Sequence, residues 1–203
     1  MPRKNFILVA IWFLTVGFGL RALMIYKGKA GTAGPTPETW PANELVFPSH
    51  DKPVLLMFAH PRCPCTKASI GELEQLVARA KDNIEVTVLF YQPKNGSESW
   101  SSNGLIDSAS SIPGVHVLFD QDGKLARRFG VETSGHTVVF GASGKLLFSG
   151  GITGSRGQLG DNAGLESVLK IANDSSRLGR KRTPVFGCQL FDQCTTSQTA
   201  ERN

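Results

Sequence analysis

The sequence predicts an α/β domain, with a central mixed sheet flanked by helices, carried behind one N-terminal transmembrane helix. Three observations predict it. Phe6 to Tyr26 is apolar on every face and is interrupted only by Arg21. From Val54 onward, short β-rich runs alternate with segments of helical period, the pattern that lays helices on the faces of a sheet. At the head of that alternation, Val54-Leu55-Leu56-Met57-Phe58-Ala59 runs into His60-Pro61-Arg62-Cys63-Pro64-Cys65.

The first apolar segment is long enough to cross a hydrocarbon core of roughly 30 Å, with Arg21 snorkelling to the far interface. A basic start followed by an apolar run also fits a cleaved signal peptide, and Gly31 to Gly34 supplies small residues for it. No clean small-x-small site follows the run, so the uncleaved single-pass anchor is preferred. The net charge of +5 belongs to this end of the chain. Of the 22 basic side chains, Arg3, Lys4, Arg21, Lys27 and Lys29 precede the first acid, which leaves 17 against 17 acidic ones. That balance argues against a nucleic-acid partner. Lys27 and Lys29 oppose Arg3 and Lys4, so charge does not set the orientation. Four cysteines suit an oxidising compartment. The soluble part is therefore expected on the extracytoplasmic side of a bacterial cell membrane.

The anchor is read as 1–29 and a small, proline-rich linker as 30–48. The domain is read as 49–172 and a basic, cysteine-containing tail as 173–203. Val54 to Ala59 is the first strand. Ile70, Leu73, Leu76, Val77 and Ala80 give Thr66 to Lys81 one apolar stripe, and Ser69-x-x-Glu72 offers a capping box. Ile84 to Tyr91 is the second strand, Pro93 to Ser102 a loop and Gly104 to Ser111 a short helix. Val115 to Phe119 forms a strand ended by Asp120-Gln121-Asp122-Gly123, and a brief helix through Leu125, Ala126 and Phe129 follows. His136 to Phe140 and Lys145 to Phe148 form a hairpin across Gly141-Ala142-Ser143-Gly144. Leu165, Val168, Leu169 and Ile171 mark the last helix.

A buried strand that delivers a cysteine onto the first turn of a helix favours the thiolate. The helix N-terminus carries partial positive charge and unpaired N–H groups. This points to redox or thiolate–metal chemistry. The residues around it carry a resemblance. Phe58-Ala59-His60-Pro61-Arg62-Cys63 resembles the active-site approach of thioredoxins, with Cys63 five residues after the strand phenylalanine. Phe129-Gly130-Val131, Thr137-Val138-Val139-Phe140, Gly144-Lys145 and Gly150-Gly151 resemble the second half of the same superfamily. The resemblance covers about residues 45 to 172 and implies a thioredoxin-like fold. Within that superfamily it is similar to bacterial RedB-type membrane-tethered proteins, which implies redox chemistry without specifying a reaction.

Two departures stand out. Thioredoxins separate their cysteines by two residues, whereas Cys63 and Cys65 are separated by Pro64 alone. A disulfide in so short a ring strains its preferred dihedral of about 90° and is easier to reduce. If that bond does not form, Cys63 attacks alone, with Thr66 where the resolving cysteine usually stands. Thioredoxins also place a cis-proline before the penultimate strand, where this chain has Ser134-Gly135-His136-Thr137. A histidine there resembles the Sco-type copper proteins. Carried over residue by residue, that resemblance implies copper held by Cys63, Cys65 and His136. Sco-type cysteines are separated by three residues, however, whereas one intervening residue here constrains the bite angle.

The thioredoxin-like resemblance implies a thiol–disulfide oxidoreductase that needs no cofactor. Cys63 is then the nucleophile, Cys65 the resolving thiol, and His136 with Thr137 shapes the substrate groove. Its partners are cysteine-containing proteins or a membrane redox protein. The alternative is a copper carrier for a membrane oxidase. A peroxidase ranks third, because His60 stands where peroxiredoxins carry threonine or serine. His60 reads as a turn residue beside Pro61, and His50 and His116 carry no positional signal. Arg180-Lys181-Arg182 reads as a solvated basic patch. Cys188 and Cys194 read as a structural bridge or free thiols ahead of a pair exchanging with Cys63.

Overall fold

A computed structural model describes residues 3–41, 51–94, 100, 104–173 and 181–191. His50 and Cys194 lie outside the described residues. Helix α1 (Arg3–Gly28) has no acidic residue in its first turn, and its described side chains are exposed throughout. Asn5–Gly28 is long and apolar enough to cross a membrane.

The domain is built on β1 (Val54–Ala59), buried at every position. A strand covered on both faces reads as an unbroken apolar run, which is why these six residues show no alternation. The chain continues through α2 (Thr66–Ala80), β2 (Glu85–Gln92), α3 (Gly104–Ser110), β3 (Val115–Gln121) and α4 (Lys124–Arg128). It ends with β4 (His136–Phe140), β5 (Leu146–Gly151), α5 (Ala163–Asn173) and the two-residue β6 (Lys181–Arg182). The strands lie in the order β3-β2-β1-β4-β5-β6. β1, β2 and β3 are mutually parallel, β4 runs antiparallel to β1 and β5, and β6 is parallel to β5. A parallel β-α-β-α-β half joined to an antiparallel hairpin and a closing helix is a thioredoxin-like fold.

Alternation along β1 divides the core. Leu55, Met57 and Ala59 pack with Ile70, Leu73 and Leu76 of α2 and with Leu165 and Val168 of α5. Val54, Leu56 and Phe58 pack on the other face with Ala126, Phe129, Val138 and Phe140. α4 stands over that second face, held by Asp120, whose carboxylate accepts from the Leu125 and Ala126 N–H groups at 2.8 Å each.

Three features differ from the expectations. Ser69 and Glu72 form no capping box: α2 begins at Thr66 with Cys65 as N-cap, and both side chains are buried inside the helix. Glu72 instead accepts a hydrogen bond from the Gly160 N–H, tying α2 to the loop before α5. The described part of the expected linker is also packed onto the domain. Gly31 N–H donates to Val185 O at 2.8 Å, Trp40 N–H to Gly144 O at 2.7 Å, and Leu146 N–H to Glu38 O at 2.9 Å. The ring of Trp40 lies edge-on to Phe129 and Phe140, both at 5.2 Å. Gly34, at φ +71°, and Gly130, at φ +62°, allow the two backbones to touch; a Cβ on Gly34 would lie 2.0 Å from the Gly130 carbonyl oxygen. Finally, the tail returns to the sheet as β6, and residues 181–191 run on as an arm across the second face, with Val185 and Leu190 buried.

Candidate active site

After β1 the chain makes a tight turn into α2. Cys63 N–H donates to His60 O at 3.1 Å, and Thr66 N–H donates to Cys63 O at 3.0 Å. Cys65 O accepts from both Ala68 N–H and Ser69 N–H, at 3.1 and 3.3 Å. Cys63 therefore stands immediately before the helix, where its sulfur meets the positive end of the backbone dipole. His60 occupies the turn as expected. Its N–H donates to Ser134 Oγ at 2.8 Å, and its ring stacks on Tyr91 at 5.6 Å. Arg62 lies 4.0 Å over the ring of Trp100. The Thr66 hydroxyl, at the position of the usual resolving cysteine, donates to His60 O at 3.1 Å and lies 2.9 Å from Ser134 Oγ.

Cys63 and Cys65 are both buried and their side chains interact, but the sulfur packed directly against Cys63 comes from the arm. Cys63 Sγ and Cys188 Sγ are 2.8 Å apart, and the Cys188 N–H donates to Cys63 Sγ at 3.4 Å. All three described cysteines are free thiols. The backbone sets this contact. Ser134 N–H donates to Cys188 O at 2.8 Å, Leu190 N–H to Glu132 O at 2.9 Å, and Thr133 and Gln189 form an antiparallel bridge. The arm thus lies as an extended strand along residues 132–134. Arg156 adds a clamp: its guanidinium donates to Gly187 O at 2.7 Å and to Lys29 O at 3.0 Å, and its N–H donates to Lys27 O at 3.2 Å. A cleft of about 440 Å³, lined among others by Tyr26, Lys29, Thr133, Arg156 and Cys188, opens beside the sulfurs at the end of α1.

The electrostatics separate the three thiols. Burial works to raise the Cys63 pKa. Hydrogen bonds from the Cys188 thiol and N–H, the Cys65 backbone and the Thr66 hydroxyl outweigh it and leave Cys63 lowered. Burial and the neighbouring Cys63 charge push the Cys65 thiol up, with Arg156 opposing. Burial, the hydrogen bond to Cys63 and the charge of Cys63 push Cys188 up to about 12. Of the three thiols, Cys63 is therefore the one most readily ionised, and Cys188 the one that holds its proton most tightly.

His136 and Thr137, expected to shape the substrate groove, are both fully buried in the sheet. Strand alternation gives the reason. His136, Val138 and Phe140 share one parity of β4, and Val138 and Phe140 belong to the face away from α2. The His136 ring accordingly bonds Ser149 Oγ through Nε2 at 2.9 Å, and Ser149 Oγ lies 2.8 Å from the Thr36 hydroxyl. Burial pushes the His136 pKa down to about 4, against the Ala33 backbone and with help from the Arg182 charge. Thr137 sits between Met57 and Gly150 in the sheet. The edge that faces the cysteines is Thr133-Ser134, displaced by Gly135, at φ +85°, whose N–H donates to Phe58 O at 2.7 Å.

The residues expected to hold copper thus do not converge. Cys63 and Cys65 are together, but the His136 imidazole is fully buried in the sheet and bonded to Ser149 Oγ. Among the described residues, no group of three His, Cys, Asp or Glu side chains is placed to hold a metal ion. The set does not fit that group. Sequence reading also left out Ser134, Arg156 and the position of Cys188. The apolar Pro184-Val185-Phe186 before Gly187-Cys188 is a signal for docking, whereas nothing local singles out Arg156.

No family model matches the chain, and no curated protein matches its sequence. Among solved structures, it is similar to an uncharacterized conserved protein from Geobacillus kaustophilus. The TM-score is 0.57 at 18% identity, over 83% of this chain and 94% of that one. A hypothetical protein from Sinorhizobium meliloti 1021 matches with a TM-score of 0.55 at 14% identity, over 83% and 98% of the two chains. StoA from Bacillus subtilis matches with a TM-score of 0.45 at 14% identity, over 70% and 98%. At these identities the likeness is one of fold.

Proposed function

We propose that this chain is a membrane-anchored thiol–disulfide oxidoreductase, with Cys63 as its attacking thiolate. The observation that carries the reading is the Cys63 sulfur itself: set before the first turn of α2, lowered in pKa by hydrogen bonds, and in contact with a second, protonated thiol. A thiolate of this kind attacks a partner disulfide to give a mixed disulfide, which a further thiol then releases. The RedB-type likeness of the sequence points to the same chemistry.

The partners are cysteine-bearing proteins that reach the site beside the membrane. Arg156 ties the sulfurs' surroundings to the last turn of α1, and the cleft between them opens at that end. The soluble part is proposed to lie outside the cytoplasm, with α1 as an uncleaved signal-anchor. Labelling with a membrane-impermeant maleimide on intact cells tests that placement, since modification only after lysis would remove it. The activity is tested by reduction of insulin disulfides with dithiothreitol as donor. The full chain accelerates it and the Cys63→Ser chain does not; equal rates would remove the reading.

A further inference from the structure

We infer that Cys188, carried by the C-terminal arm, is the resolving thiol of this site and that Cys65 is not. The inference rests on the oxidoreductase reading and deepens it. Three observations carry it. Cys188 Sγ lies 2.8 Å from Cys63 Sγ, close enough to bond without movement of the sheet. The arm around it is built into the fold: its carbonyl at Cys188 takes the Ser134 N–H, its carbonyl at Gly187 takes Arg156, and Val185 and Leu190 are buried on either side. Gly187 permits that approach, since a Cβ there would lie 1.9 Å from the Ser134 carbonyl oxygen. The third observation concerns Cys65. The Cys63 carbonyl is bound by Thr66 N–H, and the Cys65 carbonyl by Ala68 and Ser69 N–H. A bond between Cys63 and Cys65 would close a ring over Pro64 alone and disrupt the first turn of α2.

The Cys63 thiolate attacks a substrate disulfide; one substrate sulfur leaves as a thiolate, and the other stays bonded to Cys63. Cys188 then gives up its proton and attacks Cys63 Sγ. The Cys63–Cys188 bond forms, the Cys63–substrate bond breaks, and the second substrate sulfur leaves with that proton. The substrate disulfide gains two electrons and the cysteine pair loses them. A dithiol reductant returns the pair to its starting state. The order of events is favourable for Cys188. While Cys63 is a thiolate, its charge and hydrogen bond hold the Cys188 proton in place. Once Cys63 is in a mixed disulfide both influences vanish; burial still disfavours the Cys188 thiolate, and the Arg156 charge that favours it remains.

The test uses the reduced full-length chain in detergent, mixed with oxidised glutathione, quenched in acid and mapped by mass spectrometry. A Cys194→Ser background keeps the peptide assignment unambiguous. The expected product is a Cys63–Cys188 disulfide with both glutathiones released. Cys188→Ser should stop at a Cys63–glutathione adduct, while Cys65→Ser should proceed as the parent does. Gly187→Ala should still form the adduct but resolve it at least about tenfold more slowly, because its sulfurs are displaced. A Cys63–Cys65 disulfide in the Cys188→Ser chain, a stalled adduct in the Cys65→Ser chain, or undiminished resolution in the Gly187→Ala chain would each overturn the assignment. A parent chain that takes up no glutathione at Cys63 would instead remove the oxidoreductase reading beneath it.

Discussion

The two faces of the sheet are covered in different ways. One carries α2 and α5, whose apolar stripes mesh with Leu55, Met57 and Val88. The other carries the short α4 and two chain segments with little regular structure, residues 29–41 and the arm 181–191. Helices cover a face through side chains at a fixed period. Irregular segments cover it through backbone hydrogen bonds and glycine contacts, each of which is set by one particular pairing. The first kind of cover is stable because many apolar contacts must be lost together. The second can open piecewise, which under the proposed exchange chemistry would give a partner access to Cys63. Cys63 stands where the two meet: helix-side in its backbone, arm-side in its sulfur contact.

That contrast can be broken at several points, the largest effect coming first. Cys63→Ser removes the one sulfur shared by both sides, and exchange activity should fall by about 10³-fold or more, measured as insulin reduction. Leu73→Ala, in the fully buried stripe of α2, should cost about 2–5 kcal/mol of global stability in denaturant titrations. An equal loss for Leu190→Ala would contradict the difference between the faces. That substitution should cost no more than about 2 kcal/mol, because the arm detaches while the sheet stays closed, and hydrogen exchange should quicken in the arm alone.

His136 offers a pH handle on the second face. Its folded pKa of about 4 lies below the ordinary histidine value, so the unfolded chain takes up the proton first as pH falls. The stabilisation is complete above about pH 6.5 and is lost progressively toward pH 4, by about 3 kcal/mol in total. His136→Gln should flatten that slope of thermal midpoint against pH; an unchanged slope would show that the ring is not buried neutral. The smallest expected effect is on Cys63 itself. Cys188→Ala removes a hydrogen bond to the thiolate, so the pH midpoint of Cys63 alkylation should move upward. A midpoint that stays put would show that the arm does not touch the thiolate.

Local pattern along the chain is enough to place the elements. The unbroken run Val54–Ala59, the stripe Ile70-Leu73-Leu76 and the glycine-flanked hairpin after His136 lead to the order of elements, because period and turn chemistry are properties of neighbours along the chain. The same holds for Cys63 at the start of α2, since a strand-to-helix junction is a local event. What meets that sulfur depends on long-range packing. Gly135, at positive φ, offsets Ser134 from His136, and strand parity then turns the imidazole to Ser149. Cys188 reaches Cys63 across 125 positions of sequence through the pairing of residues 132–134 with 188–190. Such pairing rests on backbone groups that every residue carries, so no side-chain pattern announces it, and it exists only once the chain has folded around it.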